Sequence, residues 1–140
     1  MAESYKTLIR RWTELINSGN LEPMDEIVKP DFVRHSEATP GVGVRSLEDF
    51  KAFDRESRKV YGDYHVNLET LIEEGDKVAF WGTFHGVQIG PLGPYPATGK
   101  PVSGQMSGYF RIEDGMIAEL WITWDNMAAL AQLGHIPSPS

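Results

Sequence analysis

The chain reads as an α+β domain in which three N-terminal helices pack on a curved antiparallel sheet and enclose one pocket. Three observations predict this. Apolar residues up to Val60 recur at helical spacing, whereas from Tyr64 onward the period drops to two. The two-period runs are separated by Glu74-Gly75-Asp76 and Glu113-Asp114-Gly115, both hairpin-turn chemistry. Helices first and a meander afterwards is the order of a domain whose helices cover one sheet face. A sheet that bends around its helices is a cone, and the open end of a cone is a natural ligand cavity.

Each element follows from local pattern. Tyr5, Leu8, Ile9, Trp12, Leu15 and Ile16 form one apolar helical stripe, stopped at Ser18-Gly19-Asn20. A short second helix is expected with Pro23 in its first turn, Met24, Ile27 and Val28 inward, and Pro30 as its close. Asp31 to His35 then leads out extended, and the Gly- and Pro-rich stretch from Ala38 to Val44 is a loop. Ser46 with Asp49 resembles a capping box opening the third helix, whose inward residues are Leu47, Phe50, Phe53 and Val60. The strands are expected at Tyr64–Glu73, Lys77–Gln88, Pro101–Ile112 and Met116–Asp125. Between them, Ile89–Thr98 holds three prolines and two glycines and reads as a stiff lip. A final helix spans about Asn126 to Leu133, and residues 137–140 read as a flexible tail beyond a single domain over 1–136.

Composition narrows the function. A chain of 140 residues with 41% hydrophobic and 24% charged residues suits one globular domain. The net charge is -7 with the basic residues scattered, which argues against nucleic acid or an anionic membrane as partner. Absence of cysteine removes disulfides, thiol nucleophiles and cysteine metal sites. No run resembles a signal peptide or a membrane span, so a cytoplasmic location is expected. No histidines show metal-ligand spacing, and neither a metal nor any other cofactor is expected.

The last hairpin can be built with a two-residue Asp114-Gly115 turn, pairing Glu113 with Met116, or with a three-residue loop and a glycine bulge, pairing Ile112 with Met116. Segregation of polarity favours the bulged register. It groups Ser103, Gln105, Ser107, Tyr109 and Arg111 with Ile117, Glu119, Trp121, Thr123 and Asp125. The other face gathers Val102, Met106, Phe110, Met116, Ala118, Leu120, Ile122 and Trp124. The polar–aromatic face suits a pocket lining, and the apolar face, left outside, suits a homodimer interface. The alternative is that the helices cover the apolar face and leave the polar one in water.

Asn17-Ser18-Gly19-Asn20-Leu21, Asp31-Phe32-Val33-Arg34-His35, Glu74-Gly75-Asp76-Lys77-Val78-Ala79, the Glu113-Asp114-Gly115 turn, Glu119-Leu120-Trp121, Trp124-Asp125 and Leu130-Ala131-Gln132-Leu133-Gly134 together resemble SnoaL-like polyketide cyclases of the NTF2-like superfamily. The resemblance implies the cone fold and an intramolecular aldol ring closure, with an Asp at the end of the last long strand as general acid/base. By position that residue is Asp125. The family's partner histidine falls at Arg111, which cannot accept a proton at neutral pH but can hold an enolate oxygen. His35 matches a family histidine that points into the pocket.

Asp125, Arg111 and His35 are thus the candidate catalytic residues, although Asp125 also precedes a helix and suits an N-cap. Trp121, Tyr109, Gln105, Thr123, Glu119, His85 and Trp12 are candidates for holding a small hydrophobic or aromatic molecule. Glu119 with Arg111 also suits a structural ion pair, and His65 and His135 suit the surface. The function expected is cofactor-free acid/base catalysis on a hydrophobic carbonyl compound, by aldol ring closure or isomerisation. A non-catalytic small-molecule-binding module is the alternative. An epoxide hydrolase ranks lower, because an Asp–Arg–Asp grouping is not evident.

Overall fold

The computed structural model describes residues 4–138. Its elements run α1 (Tyr5–Ser18), a 3-10 turn (Glu22–Glu26), β1 (Val28–His35), α2 (Leu47–Val60), β2 (Tyr61–Glu74), β3 (Lys77–Gln88), β4 (Pro101–Glu113), β5 (Met116–Trp124) and α3 (Asn126–Gln132). The five strands form one sheet in the order β1-β5-β4-β3-β2. This is the α+β, NTF2-like architecture expected, with two differences. The second helix contracts to a 3-10 turn, because Val28 and Pro30 join a strand instead. The sheet is mixed rather than wholly antiparallel, since β1 runs parallel to β5. Part of the expected tail, residues 139–140, lies outside the described residues.

Local chemistry sets the helix ends as the sequence suggests. The Ser4 hydroxyl caps α1, and Gly19 ends it at φ 78°, where glycine carries no Cβ penalty. The Ser46 hydroxyl accepts from the Asp49 amide, and the Asp49 carboxylate accepts from the Arg45 amide. Just beyond the inner stripe of α1, Asn17 bonds both the amide and the carbonyl of Val66 at 2.8 Å. That pair of bonds pins the helix to β2.

The last hairpin combines features of both registers. Asp114 (φ 53°) and Gly115 (φ 74°) make a two-residue turn that pairs Glu113 with Met116. A bulge then leaves Ala118 as the extra residue, so that Ile112 faces Ile117 while Arg111 faces Glu119. The expected bulge therefore exists, but one turn-length further along β5. From Glu119 onward the face grouping is unchanged, while Ile117 moves into the core.

The larger correction concerns which face is inside. Met106, Phe110, Leu120, Ile122 and Trp124 share the core with α1 and α2, Val102 packs with Ala129 and Leu133 at α3, and the polar–aromatic face is the outer one. The reason is burial. Helix α1 brings Ile9, Trp12, Leu15 and Ile16, which gain most against an apolar sheet face. Around Trp12 the rings of Phe32, Phe50 and Phe110 pack at centroid distances of 5.6, 4.8 and 5.4 Å.

The Pro-rich segment between β3 and β4 is stiffened from below by Gln88, which is wholly buried. Its amide donates to the carbonyls of Gly90 (3.0 Å) and Tyr95 (3.3 Å), and its oxygen accepts from Thr98 (3.4 Å). The same oxygen meets His135 Nε2 at 2.7 Å. His135, expected at the surface, instead ties the end of α3 to the lip.

Candidate active site

Between the helices and the concave sheet face lies a cavity of about 350 Å³. Its walls are mainly rings and aliphatic chains, including Trp12, Phe53, Phe84, Phe110, Ile122 and Trp124. Gly104 on β4 makes room for one of these rings, since a Cβ there would stand 2.7 Å from Phe84 Cζ. The lip contributes Leu92, and the opposite rim is closed by Asn126, which accepts from Trp124 Nε1 (2.9 Å) and donates to the Ala38 carbonyl (2.7 Å).

Among the polar side chains that face this apolar space are Arg34, Asp54, Arg58 and Tyr64. Arg34 on β1 is only 7% exposed. Its guanidinium stacks over Phe53 at 4.4 Å and lies 5.7 Å from the Trp124 ring centroid. Its protein partner is the Thr39 hydroxyl at 3.0 Å, and among the described residues no carboxylate pairs with it. Burial lowers the Arg34 pKa to about 10, so it stays charged at neutral pH. Asp54 on α2 is 8% exposed and accepts from Arg58 Nε at 2.8 Å. Arg58 also donates to the Ile16 carbonyl, which fixes the pair against α1. The Tyr64 hydroxyl lies within electrostatic reach of Asp54, Arg58 and Arg34, and desolvation raises its pKa to about 12. It is a neutral donor at physiological pH.

Of the residues singled out from the sequence, Trp12 lines this cavity. The others stand elsewhere. Asp125 is exposed and caps α3, accepting from the Ala128 amide at 3.0 Å. His35, Trp121 and Tyr109 form an aromatic stack on the outer sheet face, with centroids 4.8 and 4.4 Å apart. Beside it, Glu119 accepts from His35 Nε2 (2.5 Å) and Arg111 Nε (3.0 Å). Burial pushes the Glu119 carboxyl up, but those two bonds outweigh it and hold it below the usual carboxylate range. Arg111 continues to Glu113 at 3.4 Å, and Glu113 to Lys29 at 2.8 Å. Gln105, Thr123 and His85 are exposed on the same outer face, where His85 Nδ1 meets Ser103 at 3.1 Å. The stack and Thr123 border an open groove with Pro40, which shares Arg34, Val42 and Ile122 with the interior cavity but none of its ring walls Trp12, Phe53, Phe84, Phe110 and Trp124.

Arg34, Asp54 and Tyr64 are not among the residues singled out from the sequence. Each had a signal. Arg34 follows Phe32 by two residues, Tyr64 precedes Val66 by two, and Asp54 follows Phe50 by four, so each shares an inward face with a core residue. Among the described residues no cluster of three or more His, Asp or Glu side chains is placed to hold a metal.

The SnoaL-like polyketide cyclase family model matches residues 6–133, nearly the whole chain. The chain belongs to that family. Among solved structures it is similar to IdmH from Streptomyces antibioticus, provisionally assigned as a polyketide cyclase. The two share 30% identity and a TM-score of 0.83 over 94% of this chain and 99% of that one. TsrD from Streptomyces laurentii is also 30% identical, with a TM-score of 0.81 over 94% of this chain and 95% of that one. AclR from Streptomyces galilaeus, provisionally assigned as a hydroxylase, has a TM-score of 0.80 over 96% of this chain and 83% of that one. At 24% identity it speaks for the fold alone. Among curated proteins none matches. The SnoaL-like fold thus carries differently assigned activities, and the interior residues must decide between them.

Proposed function

We propose that the chain is a cofactor-free acid/base enzyme that acts on a hydrophobic carbonyl compound inside the cavity, by aldol ring closure or isomerisation. The observation that carries this reading is a buried, charged Arg34 facing an apolar space that also holds a carboxylate, Asp54. Removal of a proton next to a carbonyl puts negative charge on the carbonyl oxygen. A guanidinium and a phenol hydroxyl preset at that oxygen stabilise the charge most where water is excluded. Asp54 takes the proton, and Arg58 holds its carboxylate in one orientation. Arg34 and Tyr64 hold the enolate oxygen, and the ring walls fold the chain of the substrate.

Asp54→Asn is expected to lower turnover of a carbonyl substrate by about a hundredfold or more in a chain that still folds, with a melting temperature lowered by loss of the ion pair to Arg58. Asp125→Asn, on the exposed cap, is the matched control. Retained turnover in Asp54→Asn would contradict the assignment. One observation favours the second reading, a binding module without chemistry: Asp54 already has Arg58 as a partner. In that case Asp54→Asn changes affinity modestly and no compound is transformed. An epoxide hydrolase stays the weakest reading, because the cavity lining holds Arg34 and Arg58 with a single Asp.

A homodimer through the outer sheet face belongs to the same proposal on altered grounds. The apolar face is used inside the chain, so such contact rests on exposed Trp81, which stands opposite Ser107 on the face that also carries Tyr109 and Trp121.

A further inference from the structure

Among the described residues, the charged groups lining the interior cavity are Arg34, Arg58 and Asp54. Two guanidinium groups against one carboxylate leave one positive charge inside a chain whose net charge is -7. That surplus resides on Arg34, since Asp54 is paired with Arg58. Tyr61 and Tyr64 add hydroxyl groups to the same lining, and burial raises the pKa of both, so they remain donors. Arg34 is more than nine-tenths buried, and its hydrogen-bonding partner, Thr39, is neutral. A desolvated cation with no counter-charge is costly to keep, and a ligand that brings an anion relieves the cost in a way that a neutral carbonyl cannot.

We propose that the natural ligand enters this cavity already as an anion: a flat, largely apolar molecule bearing a carboxylate or an ionised enol that settles on Arg34. Guanidinium geometry suits either head, because its planar N–H groups meet two oxygens side by side. Phe53 and Trp124 flank Arg34, so the rings of the ligand lie against rings of the wall while its charged edge meets the cation. The inference rests on the interior cavity being the working site. It does not depend on whether Asp54 performs chemistry, so a binding module would show the same preference.

Calorimetric titration of the full chain at pH 7 with anthraquinone-2-carboxylate and with its neutral carboxamide tests the proposal. The carboxylate is expected to bind at least about tenfold tighter. Arg34→Met is expected to abolish that difference, Arg34→Lys to keep part of it, and Arg111→Gln on the outer face to leave it intact. Equal affinity of the two probes for the unaltered chain would overturn the proposal without recourse to any variant. So would a preference that survives in folded Arg34→Met, or absence of binding by both probes at millimolar concentration. A carboxylate preference together with full turnover in Asp54→Asn would leave the anionic ligand standing and remove only the acid/base role.

Discussion

Arg34 carries more of this account than any other residue, and its environment has a cost as well as a use. Its pKa is lowered to about 10 by burial, so below that pH it is charged in the folded and unfolded states alike. The folded state then bears the whole desolvation cost, which eases only as pH rises above about 10. Stacking on Phe53 and the bond to Thr39 offset part of it. Arg34→Met is therefore expected to raise the melting temperature at pH 7 by about 3 °C or more while ligand binding falls. A melting temperature lowered by a similar amount would show that the cation is structural. Asp125 illustrates the opposite case. Its position at the end of β5 fits both a cap and a catalyst, and only coordinates distinguish a carboxylate turned to the Ala128 amide from one turned inward.

At the level of elements, the outer face of β1, β4 and β5 is tied by a chain of polar contacts from His35 through Glu119, Arg111 and Glu113 to Lys29. The bulge at Ala118 is what brings Arg111 opposite Glu119. Because the Glu119 pKa is held below its ordinary value, its contribution to stability is present above the unfolded carboxylate pKa. That contribution is lost as pH falls through the folded one. Glu119→Gln is expected to cost about 1 kcal/mol at pH 7 and less at pH 3, measured by denaturation at both. An equal cost at both would mean packing, not charge. This hairpin also shows what sequence reveals of a sheet. Alternation identified the faces of β4 and β5 correctly beyond Glu119, and Asp114-Gly115 marked the turn. The position of the bulge depended on Ile117 being drawn into the core, which is a tertiary event that no local pattern states.

For the molecule as a whole, the cone, the lip and the cavity were legible because each rests on periodicity or turn chemistry. Strands β3 and β5 match their expected spans to within a residue. The side on which the helices pack was misjudged, and most of the candidate site went with it. An outer face with Trp121, Tyr109, His35 and Glu119 resembles a pocket lining in one dimension, since it mixes rings with hydrogen-bonding groups. In three dimensions the apolar stripe of α1 takes the apolar sheet face, and the polar groups that matter are the few that share it. Arg34, Asp54 and Tyr64 are conspicuous once the inside is known, because isolated polar groups among core residues are costly unless used.

Ligands are expected to bind in the interior cavity and not in the outer groove. Diffraction from crystals soaked with a polycyclic aromatic ketone tests it most directly. Density is expected between Trp12, Phe53 and Trp124 with an oxygen of the ligand within hydrogen-bonding distance of the Arg34 guanidinium. Density confined to the groove against Trp121 and His35, with the interior empty, would contradict it.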